Sequence, residues 1–240
     1  MHNYNFVRMA KPTDNSERFS ENNHDTPAVR RKRSLGYTTK FWENASTLTI
    51  SFMHDLPDEL KYRIELGIRK WEPFVSLAFE WVENVPGMIR IALQGKDSYS
   101  FIGTDAMKVD FNEPTMVLGT QPDSPIFDQV VQHEFGHALG FHHAHLHPQA
   151  RIPWNKEAAY EYLAKHHGWT REDVDSNVFD LEFPQAAIFG DYDKLSIMHY
   201  PTTNLIYGND AVGLNLTLSD KDKAFARKIY PALNYGQLPA

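Results

Sequence analysis

The sequence predicts an α/β (α+β) fold: a twisted N-terminal sheet with helices, a histidine-bearing helix near the middle, and a smaller, mostly irregular and helical C-terminal subdomain. Three observations predict it. Short apolar runs rich in β-branched and aromatic residues recur between residues 47 and 119, and one helical pattern interrupts them, the order expected of a helix packed on a sheet. The stretch His133-Glu134-Phe135-Gly136-His137-Ala138-Leu139-Gly140-Phe141-His142-His143 sets two histidines four residues apart and then meets a glycine, as a helix that stops there would. After residue 147 the chain changes character, with turn residues between short helical patterns.

Taken in order, residues 1–36 are rich in Asn, Ser, Asp, Glu and Arg and poor in apolar side chains, so they read as a disordered tail or prosegment. Arg30-Arg31-Lys32-Arg33 before Ser34 reads as a solvated basic linker, with a processing site as the alternative. Residues 37–240 follow as one domain, with subdomains of about 37–143 and 144–240. Leu48, Ile50 and Phe52 alternate with Thr49, Ser51 and Met53, the period of a strand. Pro57 opens a helix to about Trp71, because Leu60, Ile64, Ile68 and Trp71 recur as one apolar stripe. Residues 77–82 and 88–94 are strands, 98–104 a short edge strand containing Tyr99, Phe101 and Ile102, and 115–119 a further strand. The histidine helix starts at Phe127 or Asp128, and Asp128 puts a negative charge at its positive end. Residues 155–166 form a helix with Ala158, Ala159, Tyr162 and Leu163 on one face, and Thr170 caps a short one. The last helix runs from Asp220 to Ile229, with Ser219 before it, Ala224, Phe225 and Ile229 as its apolar face and Pro231 beyond its end.

The 240 residues, 42% of them apolar, suffice for one domain of about 200 residues plus a tail. A net charge of −7 argues against nucleic acid as a partner, and no apolar run approaches the ~18 residues of a membrane span. Cysteine is absent, so there are no disulfides and no thiol to block a metal. Residues 1–10 lack the apolar core of a signal peptide. The expected protein is a monomer exported by a route without a signal peptide, with the cytoplasm as the alternative.

The histidine stretch fits H-E-x-x-H-x-x-G-x-x-H at every fixed position. Residues four apart share a helix face, so His133 and His137 can aim at one ion, and Glu134, one position round, can reach a water on it. Gly140 lets the chain reverse in the left-handed conformation and return His143 as third ligand. Three neutral histidines leave the fourth position of a tetrahedral Zn2+ open, the pattern of a catalytic rather than a structural site. By spacing His143 is the third ligand; His142 and His145 are out of register and, with His147, read as a solvated polar loop.

Beyond the histidine motif stands Tyr192-Asp193-Lys194-Leu195-Ser196-Ile197-Met198-His199-Tyr200, whose Ser196 lies more than fifty residues after His143. A long histidine motif followed by a methionine turn marks the metzincin zinc peptidases. This turn closely resembles that of the astacin family, as do Gly103-Thr104-Asp105, Gly140-Phe141-His142-His143 and Leu218-Ser219-Asp220-Lys221-Asp222, and the resemblance covers roughly residues 36–232. It implies a metzincin-type fold and a zinc metalloendopeptidase with one catalytic zinc ion held by His133, His137 and His143. It further implies that Glu134 is general base, that Met198 is a hydrophobic floor beneath the metal, and that Tyr200 is a further zinc ligand that swings away to stabilise the transition state. A protein or peptide substrate would lie extended along the 98–104 edge. Two features depart from the family: Ala144 stands where a glutamate holds the mature N-terminus, and two disulfides are missing. Asp14 and Asp25 are weak candidates for a prosegment aspartate on the zinc. The chain thus reads as a cysteine-free microbial relative of the astacins. The alternatives are a catalytically silent, metal-holding peptide-binding module and a narrow-specificity protease toxin or effector. Because metal ligands must be neutral, activity is expected to fall below pH ~6.

Overall fold

A computed structural model describes residues 36–179 and 187–232; residues 1–35 of the expected tail, with the basic run and both weak aspartates, lie outside the described residues. Strand β2 (Thr47–Phe52) pairs in parallel with β3 (Ala78–Trp81) and with β4 (Ile89–Ala92). Beyond β4 come β6 (Met116–Val117), parallel to it, and β5 (Tyr99–Ser100), antiparallel to β6, so the five-stranded order is β3-β2-β4-β6-β5. Every residue of β4 is buried, as befits a strand covered on both faces. One of them is Arg90, whose guanidinium donates to the carbonyls of Gly87, Val109, Asp110 and Glu113 and so pins the loop leading into β6.

The expected edge strand over 98–104 is shorter, and the reason is a glycine. Gly103 has φ +52°, and a Cβ there would lie 1.8 Å from the Lys40 carbonyl oxygen. The chain therefore leaves the sheet and turns into a 310 helix over Gly103–Lys108, held by the ion pair of Lys40 with the buried Asp105. β5 still forms the sheet edge, extended by one bond from Phe101 N–H to the Thr115 carbonyl.

Helix α1 (Asp58–Arg69) and helix α2 (Phe127–Ala138) cross closely at Gly67, where a Cβ would sit 2.7 Å from Val131 Cγ1. The predicted stripe is the buried one: Ile64, Ile68 and Trp71 are inaccessible, and the Trp71 indole donates to the Gln132 carbonyl at 2.9 Å. They belong to the main core, with Leu48, Ile50, Phe79, Ile89 and Ile91 of the sheet. A second core, formed by Ala159, Leu163, Trp169, Val174, Val178, Tyr200 and Leu205, holds α3 (Lys156–His167) to α4 (Arg171–Val174). Thr170 caps α4 in a reciprocal capping box with Asp173. A short strand pair joins β1 (Gly36–Tyr37) to β7 (Ala187–Ile188), and α5 (Asp220–Ile229) closes the described chain. No helix among the described residues is long and apolar enough to cross a membrane.

Candidate metal centre

Eleven of the twelve residues of α2 are buried, so its histidines face protein rather than water. His133 and His137 of α2 and His143 beyond its end carry ring nitrogens that lie within 4.8 Å of one another. These are the three that the motif spacing selects. The Nδ1 of His133 lies 2.7 Å from the Ile197 carbonyl, and the Nδ1 of His137 lies 2.8 Å from the Phe141 carbonyl. A carbonyl only accepts, so both Nδ1 atoms carry the proton and both Nε2 atoms are left with a lone pair. The Nε2 atoms of His137 and His143 face each other at 3.0 Å, and that of His133 is buried without a partner. Fixing the far nitrogen by a backbone acceptor is how metal-ligating imidazoles are oriented.

Burial pushes His133 down to about 4 and holds His137 and His143 well below the usual range, with mutual repulsion as the smaller cause. All three are thus neutral, the form that binds a metal. Glu134 is inaccessible, burial raises its pKa, and neither carboxylate oxygen meets a partner among the described residues. A buried carboxyl left unpaired is destabilising unless the site supplies a partner. Converging imidazole nitrogens, with an unpartnered carboxyl on the residue after His133, fit a metal ion with a water: neutral nitrogen donors suit Zn2+, and the carboxyl is left for the water.

The turn that brings His143 back is clamped from two directions. The Trp42 indole donates to the Ala138 carbonyl at 2.7 Å, and the Tyr230 hydroxyl donates to the Leu139 carbonyl at 2.7 Å while accepting from the Trp42 N–H at 3.2 Å. These bonds satisfy carbonyls that a helix end leaves open. Gly140 then adopts φ +93°, the left-handed conformation expected of it. Replacing Tyr230 by Phe is expected to destabilise the protein by about 1–3 kcal/mol, since it strands a buried carbonyl and an N–H. Urea unfolding would show this; an unchanged midpoint would mean that the clamp is idle.

Met198 packs against the histidine helix: a Cβ on Gly136 would come within 2.5 Å of its Sδ, so the glycine inside the motif makes room for the methionine. The turn that carries Met198 is braced by Asp222, which accepts from Ser196 Oγ at 2.5 Å, Ile197 N–H at 2.8 Å and Ser219 N–H at 2.9 Å. Tyr200 is buried, its ring centroid 4.1 Å from that of His143, and burial raises its pKa.

One expectation is overturned. His142, His145 and His147 do not form a solvated loop; they are 8%, 2% and 3% exposed. After Gly140 the chain runs between the two cores instead of over the surface, and the Ala144 N–H bonds the Met198 carbonyl. Tyr37 of β1 packs edge-on against His142, and Phe189 and Tyr192 pack on His147. Trp42, Tyr230 and Asp222 had no place in the expected site. Only Asp222 left a local sign, the Ser219-x-x-Asp222 spacing of a capping box.

A model of the astacin peptidase family matches residues 34–229. The zinc metalloproteinase nas-38 of Caenorhabditis elegans is 23% identical over 219 residues, covering 76% of this chain and 28% of that protein. The zinc metalloproteinase nas-36 of Haemonchus contortus is 25% identical over 182 residues, covering 74% of this chain and 27% of that protein. The chain therefore spans little more than a quarter of the length of these relatives. A structure of myroilysin superposes with a TM-score of 0.78 at 34% identity, over 83% of this chain and 99% of the other. The high choriolytic enzyme 1 of Oryzias latipes, a hatching enzyme zinc-protease, shares the fold with a TM-score of 0.54 at 18% identity, over 80% of this chain and 95% of the other.

Proposed function

The chain belongs to the astacin family of peptidases, and on that premise we propose that it is a zinc-dependent endopeptidase whose ligands are His133, His137 and His143. The observation that carries this reading is the convergence of three neutral imidazoles beside a buried, partnerless carboxyl. A bound zinc ion would supply a Lewis acid that polarises the scissile carbonyl and acidifies a water. The rest of the chemistry belongs to side chains. Glu134, with its raised affinity for a proton, takes one from the attacking water and passes it to the leaving amine. Tyr200, whose ring packs 4.1 Å from that of His143, would donate a hydrogen bond to the oxyanion as it forms. Met198 closes the floor and keeps water from the underside of the ligands.

The substrate is a polypeptide held extended along β5, an edge strand that packs beside α2 and has no second strand partner among the described residues. A catalytically silent binding module explains Glu134 less well, because holding a peptide gives no reason to bury an unpaired carboxyl. Cleavage of a mixed peptide library, with and without a chelator, tests the proposal: cuts that vanish with the metal and return with zinc are expected, and cuts indifferent to chelation would refute it. In the same assay Tyr200→Phe is expected to lower kcat by about 10²–10³ with little change in KM, the loss that follows removal of one oxyanion donor. An unchanged kcat would reduce Tyr200 to packing.

A further inference from the structure

We propose that His145 is a positioning residue for Tyr200: its ring lies flat against the phenol ring and sets where the phenol oxygen stands relative to the metal ligands. The inference rests on the role given to Tyr200 above. The two rings are nearly parallel, 13° apart, with centroids separated by 4.3 Å. The His143 ring is 4.1 Å from Tyr200 and 5.2 Å from His145, so the three rings form one closed cluster. His143 is committed to the metal; His145 is not in the group of converging nitrogens.

What holds His145 is independent of the metal. Its Nε2–H donates to the Asn177 carbonyl at 3.2 Å, and the edge of Trp154 packs against it. Asn177 is itself buried, and its amide donates to the Asp173 carbonyl at 2.7 Å. The plane of the imidazole is thereby tied to the wide helical turn Asp175–Phe179, in the second core rather than in α2. The other ring nitrogen of His145, Nδ1, is buried with no partner among the described residues. An apolar ring would fill the same space without stranding a nitrogen, so packing alone does not explain the histidine. A flat ring tethered at one edge does something a leucine cannot. It lets the phenol slide within its own plane and resists tipping out of it, which confines Tyr200 to positions from which its oxygen can serve the metal side and the substrate side.

The test compares wild type, Tyr200→Phe, His145→Leu, His145→Phe and the double variant Tyr200→Phe/His145→Leu. Each is assayed for kcat and KM as the zinc protein, and for visible absorption after exchange of the zinc for Cu(II), where a bound phenolate gives a charge-transfer band. His145→Leu is expected to retain its metal, to lose about three- to tenfold in kcat with KM nearly unchanged, and to shift or weaken the band. His145→Phe, which restores a flat ring of similar size, is expected to lie between His145→Leu and wild type; it also serves if the leucine variant folds poorly. In the Tyr200→Phe background His145→Leu is expected to cost nothing further, because no phenol oxygen remains to be placed. Additive losses in kcat, a band indifferent to His145, or loss of metal from His145→Leu would each overturn the proposal. If Tyr200→Phe itself cuts at the wild-type rate, the role of Tyr200 falls and that of His145 with it. If Tyr200→Phe is slow and His145→Leu is not, only the role of His145 falls.

Discussion

Glu134→Gln is expected to lower kcat by a factor on the order of 10²–10⁴, to keep its zinc, and, once the zinc is chelated from both proteins, to unfold at higher urea than wild type at neutral pH. The first effect follows from losing the group that carries the proton. The last follows from where that group sits: no solvent exposure, no partner for either oxygen among the described residues, and a pKa raised by burial. The sign can be worked out. The folded state holds the proton at pH values where the unfolded chain has released it. Stability is therefore present below about pH 4.5 and is lost as pH rises towards the folded pKa. Glutamine keeps the shape and removes that slope. The measurement is urea unfolding of both chelated proteins between pH 5 and 9, beside kcat and zinc content. Wild-type turnover would remove Glu134 from the chemistry. Equal stability at every pH would mean that the carboxyl has a partner without the metal.

His143→Ala is expected to weaken zinc binding by more than the roughly 100-fold that marks the upper end for losing a supporting partner, because it removes a ligand itself. His142→Ala is expected to keep the metal, since the ring of His142 packs on Tyr37 and lies outside the converging group. Zinc retained after competition with a chelator decides between them; the reverse result would shift the third ligand by one residue. The same burial has a pH signature in the chelated protein. In the folded state His133 sits at about 4, and so do His147 and His199, while His142 sits at about 3, all with burial as the main cause. Unfolded histidines titrate near 6.5. As pH falls below ~6.5 the unfolded chain takes up protons that the folded chain refuses, so these histidines make stability drop steeply down to about pH 4 and add no slope above pH 7, where the slope of Glu134 remains. For His133 alone the full effect is on the order of 3 kcal/mol. The buried ligands themselves are held neutral below pH 6 in the folded, chelated protein, so acid acts on that protein through unfolding rather than through protonation of the folded site. A chelated protein equally stable at pH 5 and 7 would contradict this.

Much of the site could be read from local spacing because local geometry builds it. The four-residue interval of His133 and His137 is one helical turn, and Gly140 stops the helix where a left-handed residue is needed; both signals are written in a few neighbouring residues. The start of α5 at Asp220 likewise follows from its Ser219 cap, and that of α1 at Asp58 from Pro57 before it and the apolar stripe behind it. The edge strand could not be bounded in this way, since it ends where Gly103 meets the backbone of Lys40, a contact between residues 63 apart.

By itself the sequence determined the metal-binding motif, the methionine turn and the order of strands and helices, since each is encoded within about one turn of helix or a few residues of strand. Only the tertiary structure decided what surrounds them. It buries His142, His145 and His147 between two cores, places Trp42 and Tyr230 on the end of α2, lays His145 against Tyr200, and leaves Glu134 without a partner among the described residues. The physical reason is the range of the interactions. Hydrogen bonds along a helix join near neighbours, whereas burial and ring packing join residues such as Leu139 and Tyr230, 91 positions apart, whose meeting no local pattern records.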